Sequence, residues 1–300
     1  MGDVVDGVGA SAVPAYDAGL ARGVVKEFRM ATSMHIRTIT LATLAVVAIA
    51  GQANAAACGN SSGGFESWKQ AFAPEARAKG VGSAGLAALQ GTTYNHATIA
   101  ADRGMKSFKL SLDQFLAKRG APTIVSRGRS LKQQQAAMFA SIEQRYGVPP
   151  GPLLAIWGME TAFGAVRGNQ NAISAVATLA YDCRRPEFFT DQLIAALQLV
   201  DKGVFTVTQR GSMHGEVGHT QFLPKNVRDY GTGGSLDNAS TALASTANFL
   251  KAHGWRAGAG YQPGEPNYAA IQAWNAATVY QQALALMGKQ IDSGGGVARR

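Results

Sequence analysis

The 300-residue sequence predicts a mainly α-helical fold with long loops and little strand. Apolar residues recur at i, i+3 and i+4 in most segments, whereas runs of alternating apolar and polar residues are scarce. Glycine and proline punctuate these segments where helices end and begin. There is no internal repeat. The length suits one or two domains, and 46% hydrophobic with 16% charged residues is the balance of a globular chain with a sizeable core.

Taken in order, residues 56–64 form a small-residue lead-in. Phe65, Trp68, Phe72 and Ala76 share one face of a first helix, with Asn60 or Ser62 as its cap and Gly80 as its stop. Residues 83–90 predict a short second helix. Residues 95–109 read as extended or irregular. Residues 111–120 predict a capped helix stopped by Gly120. Residues 129–146 predict one long amphipathic helix, with Leu131, Gln135, Met138, Phe139 and Ile142 near one face. Two helices follow over 171–181 and 186–204, joined by Asp182-Cys183-Arg184-Arg185. Residues 211–218 form a glycine-rich loop, Pro224 opens a further turn of helix, and 229–237 form a second glycine-rich loop. Residues 238–253 predict a helix ending at Gly254, 256–267 are irregular, and 267–287 hold one or two helices. The catalytic unit is expected over 56–291, with 292–300 a flexible tail.

Between these lies the almost wholly apolar stretch 147–164, which carries one carboxylate, Glu160. Pro149 and Pro150 suit a helix start, because first-turn residues need no N–H donor. Glu160 falls on the same side as Ile156 and Trp157. A carboxyl group at the end of a buried apolar helix is costly to ionise, so its pKa should rise, as a general acid near neutral pH requires. The plain alternative is a helix-end glutamate paired with an arginine or a backbone group.

Residues 34–55 read as a signal peptide: His35 and Arg37 precede an apolar run over 39–50, and Ala53-Asn54-Ala55 is an A-x-A cleavage site. The run is too short to span a membrane comfortably. Residues 1–33 are then a mis-called start or an extension; the alternative is a membrane signal anchor. The formal net charge is +9, and 1–55 contribute nothing to it, with four basic and four acidic residues. A positive chain favours an anionic partner. No Lys/Arg cluster interleaves with aromatics and no nucleic-acid motif is present, so nucleic acid is not expected. Cys58 and Cys183 are the two cysteines, and an even pair in an exported chain suggests one disulfide. The alternative is lipid anchoring at Cys58, although Ala55-Ala56-Ala57 lacks the leucine a lipobox normally carries. No His/Cys cluster has zinc spacing.

Four segments now read together: Ile156-Trp-Gly-Met-Glu-Thr-Ala-Phe-Gly164, Ala177-Thr-Leu-Ala-Tyr181, Gly211-Ser-Met-His-Gly-Glu-Val-Gly-His-Thr-Gln-Phe-Leu-Pro224, and Ala247-Asn-Phe-Leu-Lys-Ala-His-Gly-Trp255. With Asp182-Cys-Arg-Arg185, Trp274-Asn275 and Tyr280, the order and spacing resemble the lytic murein transglycosylase B family, glycoside hydrolase family 103. The resemblance covers about 58–290.

It implies a lysozyme-like helical fold and cleavage of the β-1,4 bond between N-acetylmuramic acid and N-acetylglucosamine in peptidoglycan, leaving a 1,6-anhydromuramic end. Glu160 corresponds to the single acid/base. Ser212, Gln221, Phe222, Phe249, Asn275 and Tyr280 correspond to residues of the sugar cleft. The implied partner is the glycan strand. No cofactor is implied, the location is the periplasm, cell-envelope protein partners are compatible with it, and a monomer is expected. Glu216 and Asp182 are the carboxylates a hydrolase of the same fold would need as a second acid. A muramidase and a non-catalytic wall-binding protein are the alternatives. The chain departs from the family at Phe249, where tyrosine is frequent, and at His214 and His219, where small or neutral residues are usual. Some relatives bind calcium in the loop corresponding to 229–237; here only Asp229 and Asp237 remain, so no metal site is expected.

Overall fold

The computed structural model describes residues 56–104 and 110–294. The expected signal peptide, 34–55, and the leader before it lie outside the described residues. Among the described residues no helix is long and apolar enough to cross a membrane.

Thirteen α-helices make up the described chain: α1 Phe65–Ala78, α2 Ser83–Gln90, α3 His96–Gly104, α4 Leu112–Lys118, α5 Ala121–Gln134, α6 Ala136–Tyr146, α7 Pro150–Thr161, α8 Ala172–Tyr181, α9 Pro186–Asp201, α10 Pro224–Tyr230, α11 Ala239–Ala252, α12 Tyr268–Trp274 and α13 Thr278–Ser293. Two-residue strands β1 Gln170–Asn171 and β2 Arg210–Gly211 pair antiparallel, with Gln170 opposite Gly211 and Asn171 opposite Arg210. The mainly helical expectation holds.

Five local expectations are corrected. Residues 96–104 are not irregular: the Asn95 side chain accepts from Thr98 N at 3.1 Å and starts α3, which buries Thr98, Ile99 and Asp102 against the rest of the fold. The expected helix over 129–146 is two helices, broken at Gln135 (φ −116°, ψ 32°). The break lets α5 pack on α7 and α13 while α6 packs on α11. Neither Asn60 nor Ser62 caps α1; a 3-10 turn, Ser62–Gly64, leads into it instead. Helix α9 stops at Asp201, because Gly203 turns left-handed (φ 67°). Helix α13 continues to Ser293, and Asp292, expected in the tail, accepts from Gly151 N at 2.8 Å and from the Tyr261 hydroxyl at 2.7 Å.

Cys58 and Cys183 are joined in a disulfide, which excludes acylation of that Cys58 thiol. The bond and the Gly59–Asp182 bridge fasten the start of the described chain to the α8–α9 turn. Below it, Phe65, Trp68, Phe72, Tyr94 and Tyr181 form one aromatic layer, with ring centroids 5.1–6.1 Å apart.

Helix α7 is the centre of the molecule. All twelve of its residues are buried. It packs chiefly on α13 and α5. The α7–α13 crossing is close because both contact points are glycine: a Cβ on Gly151 would strike Gly288 O, and one on Gly288 would lie 3.1 Å from Pro152 N. This closeness brings the first turn of α13 against the last turn of α7.

Candidate active site

The last turn of α7 holds Glu160, with 5% of its surface exposed. Ala162 (φ 48°) and Phe163 (φ 60°) are left-handed, as is Gly164, so the chain turns sharply straight after the acid. Left-handed backbone at two successive non-glycine residues is unusual and concentrates at functional sites.

From α13, the Tyr280 hydroxyl donates to Glu160 Oε1 at 2.5 Å. The Trp274 indole, at the end of α12, donates to the same Tyr280 oxygen at 3.3 Å. Phe115 of α4 packs edge-on against the Tyr280 ring. Arg119, just beyond α4, donates to Met159 O at 3.2 Å, beside the acid. Burial pushes the Glu160 carboxyl above the usual carboxylate range, against the opposing pull of the Tyr280 hydroxyl bond, the Arg119 charge and the Trp274 indole. Burial and then the Glu160 charge push the Tyr280 phenol well above its ordinary value, so it remains a donor throughout the physiological range.

Two of the other expected residues, Phe222 and Phe249, connect to this pair through Trp274. Phe222 packs on Trp274 (5.4 Å) and Phe249 (6.2 Å), and Phe249 packs on Trp274 (5.3 Å) and His253 (4.0 Å). Both phenylalanines are buried, so they support the Trp274–Tyr280–Glu160 chain from beneath. Asn275 follows Trp274; its Oδ1 accepts from Ala277 N at 2.9 Å, and its buried Nδ2 has no protein partner. Gln221 is left-handed (φ 53°) and donates from Nε2 to Gly218 O at 2.8 Å.

Ser212 differs. Its hydroxyl donates to Glu216 Oε2 at 2.9 Å and accepts from His214 N and Glu216 N, so it closes its own loop. The two candidate second carboxylates are engaged elsewhere. Glu216 is buried on Ser212, and Asp182 accepts from Arg103 at 2.6 Å and from Arg184 N at 3.0 Å. His214 turns toward Asp102 (3.7 Å), whose carboxylate also binds Arg184 and Arg185. Arg119 was not singled out from the sequence: it is one cation before Gly120, and nothing in its local pattern distinguishes it from a solvated helix-end arginine. In the 229–237 loop, Asp229 is bound by Lys225 and Arg228, and Asp237 by Arg167. Among the described residues no group of three or more His, Cys, Asp or Glu could hold a metal ion.

A family model described as "Transglycosylase SLT domain" matches residues 64–263. The chain belongs to this family. Relatives of this transglycosylase-domain protein include the Escherichia coli (strain K12) protein named "Membrane-bound lytic murein transglycosylase B", 35% identical over 139 residues; the match covers 41% of this chain and 38% of that one. The chain thus spans well under half the length of this curated relative. Pseudomonas aeruginosa SltB3, solved in complex with NAG-anhNAM-pentapeptide, is 28% identical with a TM-score of 0.70, covering 77% of this chain and 80% of its own. Escherichia coli Slt35, solved with bulgecin A, shares the fold at 23% identity and a TM-score of 0.64, covering 75% and 92%. The fold is lysozyme-like and mainly helical, as the resemblance implied.

Proposed function

We propose that the protein is a lytic transglycosylase that cleaves the β-1,4 bond between N-acetylmuramic acid and N-acetylglucosamine in peptidoglycan. The observation that carries this reading is one buried carboxyl, Glu160, under a 2.5 Å bond from Tyr280, with Glu216 and Asp182 both engaged elsewhere. The relatives whose names describe murein transglycosylases, and the muropeptide bound to SltB3, support the same substrate class.

The raised pKa favours the protonated form of Glu160, the form in which the reaction starts. It gives its proton to the glycosidic oxygen, and the C1–O bond breaks. The Tyr280 hydroxyl and the Arg119 charge then stabilise the carboxylate. That carboxylate takes the C6 hydroxyl proton as the C6 oxygen bonds to C1, closing the anhydro ring and restoring the acid. Glycosidases that use water or a covalent intermediate need two carboxyl groups. Here the substrate supplies its own nucleophile, so proximity replaces the second group. Asn275 Nδ2, a buried donor without a protein partner, suits a sugar oxygen. Gln221 stands as a further glycan contact, with Phe222 and Phe249 as the floor of the cleft. Ser212 is a contact only if Glu216 releases its hydroxyl.

The expected export signal at 34–55 and the Cys58–Cys183 disulfide both fit a periplasmic location. The test is Glu160→Gln on purified sacculi. Turnover should fall by three orders of magnitude or more, roughly the loss expected when the group in flight is removed, while glycan binding persists. A variant that cuts at the wild-type rate overturns the assignment of Glu160.

A further inference from the structure

His219 makes contacts that the reaction scheme above does not use. It sits in the 211–224 loop, facing the last two turns of α7. Its Nδ1 lies 2.9 Å from Trp157 Nε1, one turn before Glu160. Its Nε2 lies 3.1 Å from Asp237 O. The backbone makes two further bonds: His219 O accepts from the Thr161 hydroxyl at 2.7 Å, and His219 N donates to Leu236 O at 3.0 Å. The ring also lies where a Cβ on Gly164 would be, so the glycine that ends the α7 turn is what admits the imidazole. One residue therefore ties the helix bearing the acid to the segment Leu236–Asp237.

The chemistry of these bonds fixes the proton. An indole N–H only donates, so Nδ1 must be bare. A carbonyl only accepts, so Nε2 must carry the hydrogen. Both bonds form together in the neutral Nε2–H tautomer alone. A second proton would enter at Nδ1, straight against the Trp157 N–H, and would break that bond.

We infer that His219 is a positioning residue, whose neutral ring braces Trp157, and through it the Glu160 turn, against the Leu236–Asp237 segment, so that protonation of His219 releases the brace and slows the reaction in acid. This rests on the transglycosylase reading. The charged groups acting on the ring are Arg167, from the chain after α7, and Asp237, from the chain before α11, themselves paired at 3.0 Å. Burial, then the Arg167 charge, holds the imidazole below the usual histidine range, against the pull of the Asp237 carbonyl and carboxylate. The sign follows: a histidine with a depressed folded pKa binds more protons when unfolded, so stability is full above its ordinary value and is lost as pH falls toward the folded value. The brace should hold at neutral pH and fail only as pH falls through the folded value, which lies below the ordinary histidine value of about 6.5.

The test measures turnover of purified sacculi against pH for the wild type, His219→Ala and His219→Gln, with the Trp157 indole N–H resonance, assigned through Trp157→Phe, followed by NMR. The neutral amide of glutamine can accept from an indole and donate to a carbonyl, and it does not titrate. His219→Ala should turn over about tenfold more slowly at pH 7, with a smaller change in glycan binding, since a misplaced catalytic group costs rate before affinity. His219→Gln should recover part of that rate and lack the acid-side fall of the wild type. The Trp157 resonance should titrate in the wild type and stay constant in His219→Gln. An unchanged acid limb in His219→Gln, or a Trp157 resonance indifferent to pH in the wild type, overturns the proposal. Should His219→Ala not fold, the glutamine profile and the wild-type resonance still decide. Should the wild type release no anhydro product at any pH, the transglycosylase reading fails, and the resonance still reports whether the brace exists.

Discussion

The Tyr280 hydroxyl of α13 stands 2.5 Å from Glu160 Oε1 of α7, across 120 residues of chain. The bond favours the carboxylate form of Glu160, opposing the larger effect of burial. Tyr280 therefore sets how readily the acid becomes a base once its proton has left.

Tyr280→Phe should lower turnover by about 10- to 100-fold, the scale of a lost hydrogen bond to a charged catalytic group. Removing a bond that favours the carboxylate raises the Glu160 pKa further. The alkaline limb of the pH–rate profile, where Glu160 loses the proton it must donate, should move to higher pH. A limb that stays in place would mean the bond does not influence the acid.

Glu160→Gln should be more stable than the wild type at neutral pH. The folded pKa of Glu160 lies above its unfolded value, so the wild type has its full stability below about pH 4.3 and loses some as pH rises through the folded pKa. Glutamine keeps an oxygen for the Tyr280 hydroxyl and carries no charge to bury. Thermal melts at pH 4 and pH 8 should show a gain for the variant that is larger at pH 8, on the order of 1–2 kcal/mol.

Gly151→Ala should separate α13 from α7. The added methyl strikes Gly288 O at the crossing, where backbone cannot give way cheaply. A loss of about 1–3 kcal/mol in denaturant unfolding is expected, together with lower turnover, because Tyr280 is carried by the displaced helix.

The double variant Cys58→Ser/Cys183→Ser should lose about 2–4 kcal/mol of stability yet still turn over at low temperature. The bond closes a sequence separation of 125 residues and joins the chain before α1 to the α8–α9 turn, neither of which carries Glu160 or Tyr280. Chemical denaturation of oxidised, reduced and variant protein measures this.

Much of the fold was legible because its signals are local. Pro149 and Pro150 open α7, as the apolar stretch predicted, and left-handed Gly164 lies just beyond its end. Ser111 and Gln114 form the capping box of α4, and Gly120 turns left-handed after it. The break at Gln135 was not legible, since apolar positions continue across it and only the different partners of α5 and α6 separate them. Helix α3 was missed because its start is an asparagine side chain and its buried face includes Thr98 and Asp102. In the site, Glu160 stood out as the lone acid of an apolar helix. Tyr280 could be joined to it only by family resemblance, as no local pattern links residues so far apart. The direction of a hydroxyl is harder still: Ser212 reads as a polar loop residue, and its commitment to Glu216 depends on how the loop folds back.

The central claim is that Glu160 works alone, with the substrate's own C6 hydroxyl as nucleophile. Mass analysis of the fragments released from purified sacculi by residues 56–300 tests it most directly. The account predicts muropeptides ending in 1,6-anhydromuramic acid, each lighter by one water than the hydrolysed product, and none from Glu160→Gln. Reducing muramic ends released by the wild type would contradict it, because water would then be the nucleophile and a second carboxyl group would have to activate it.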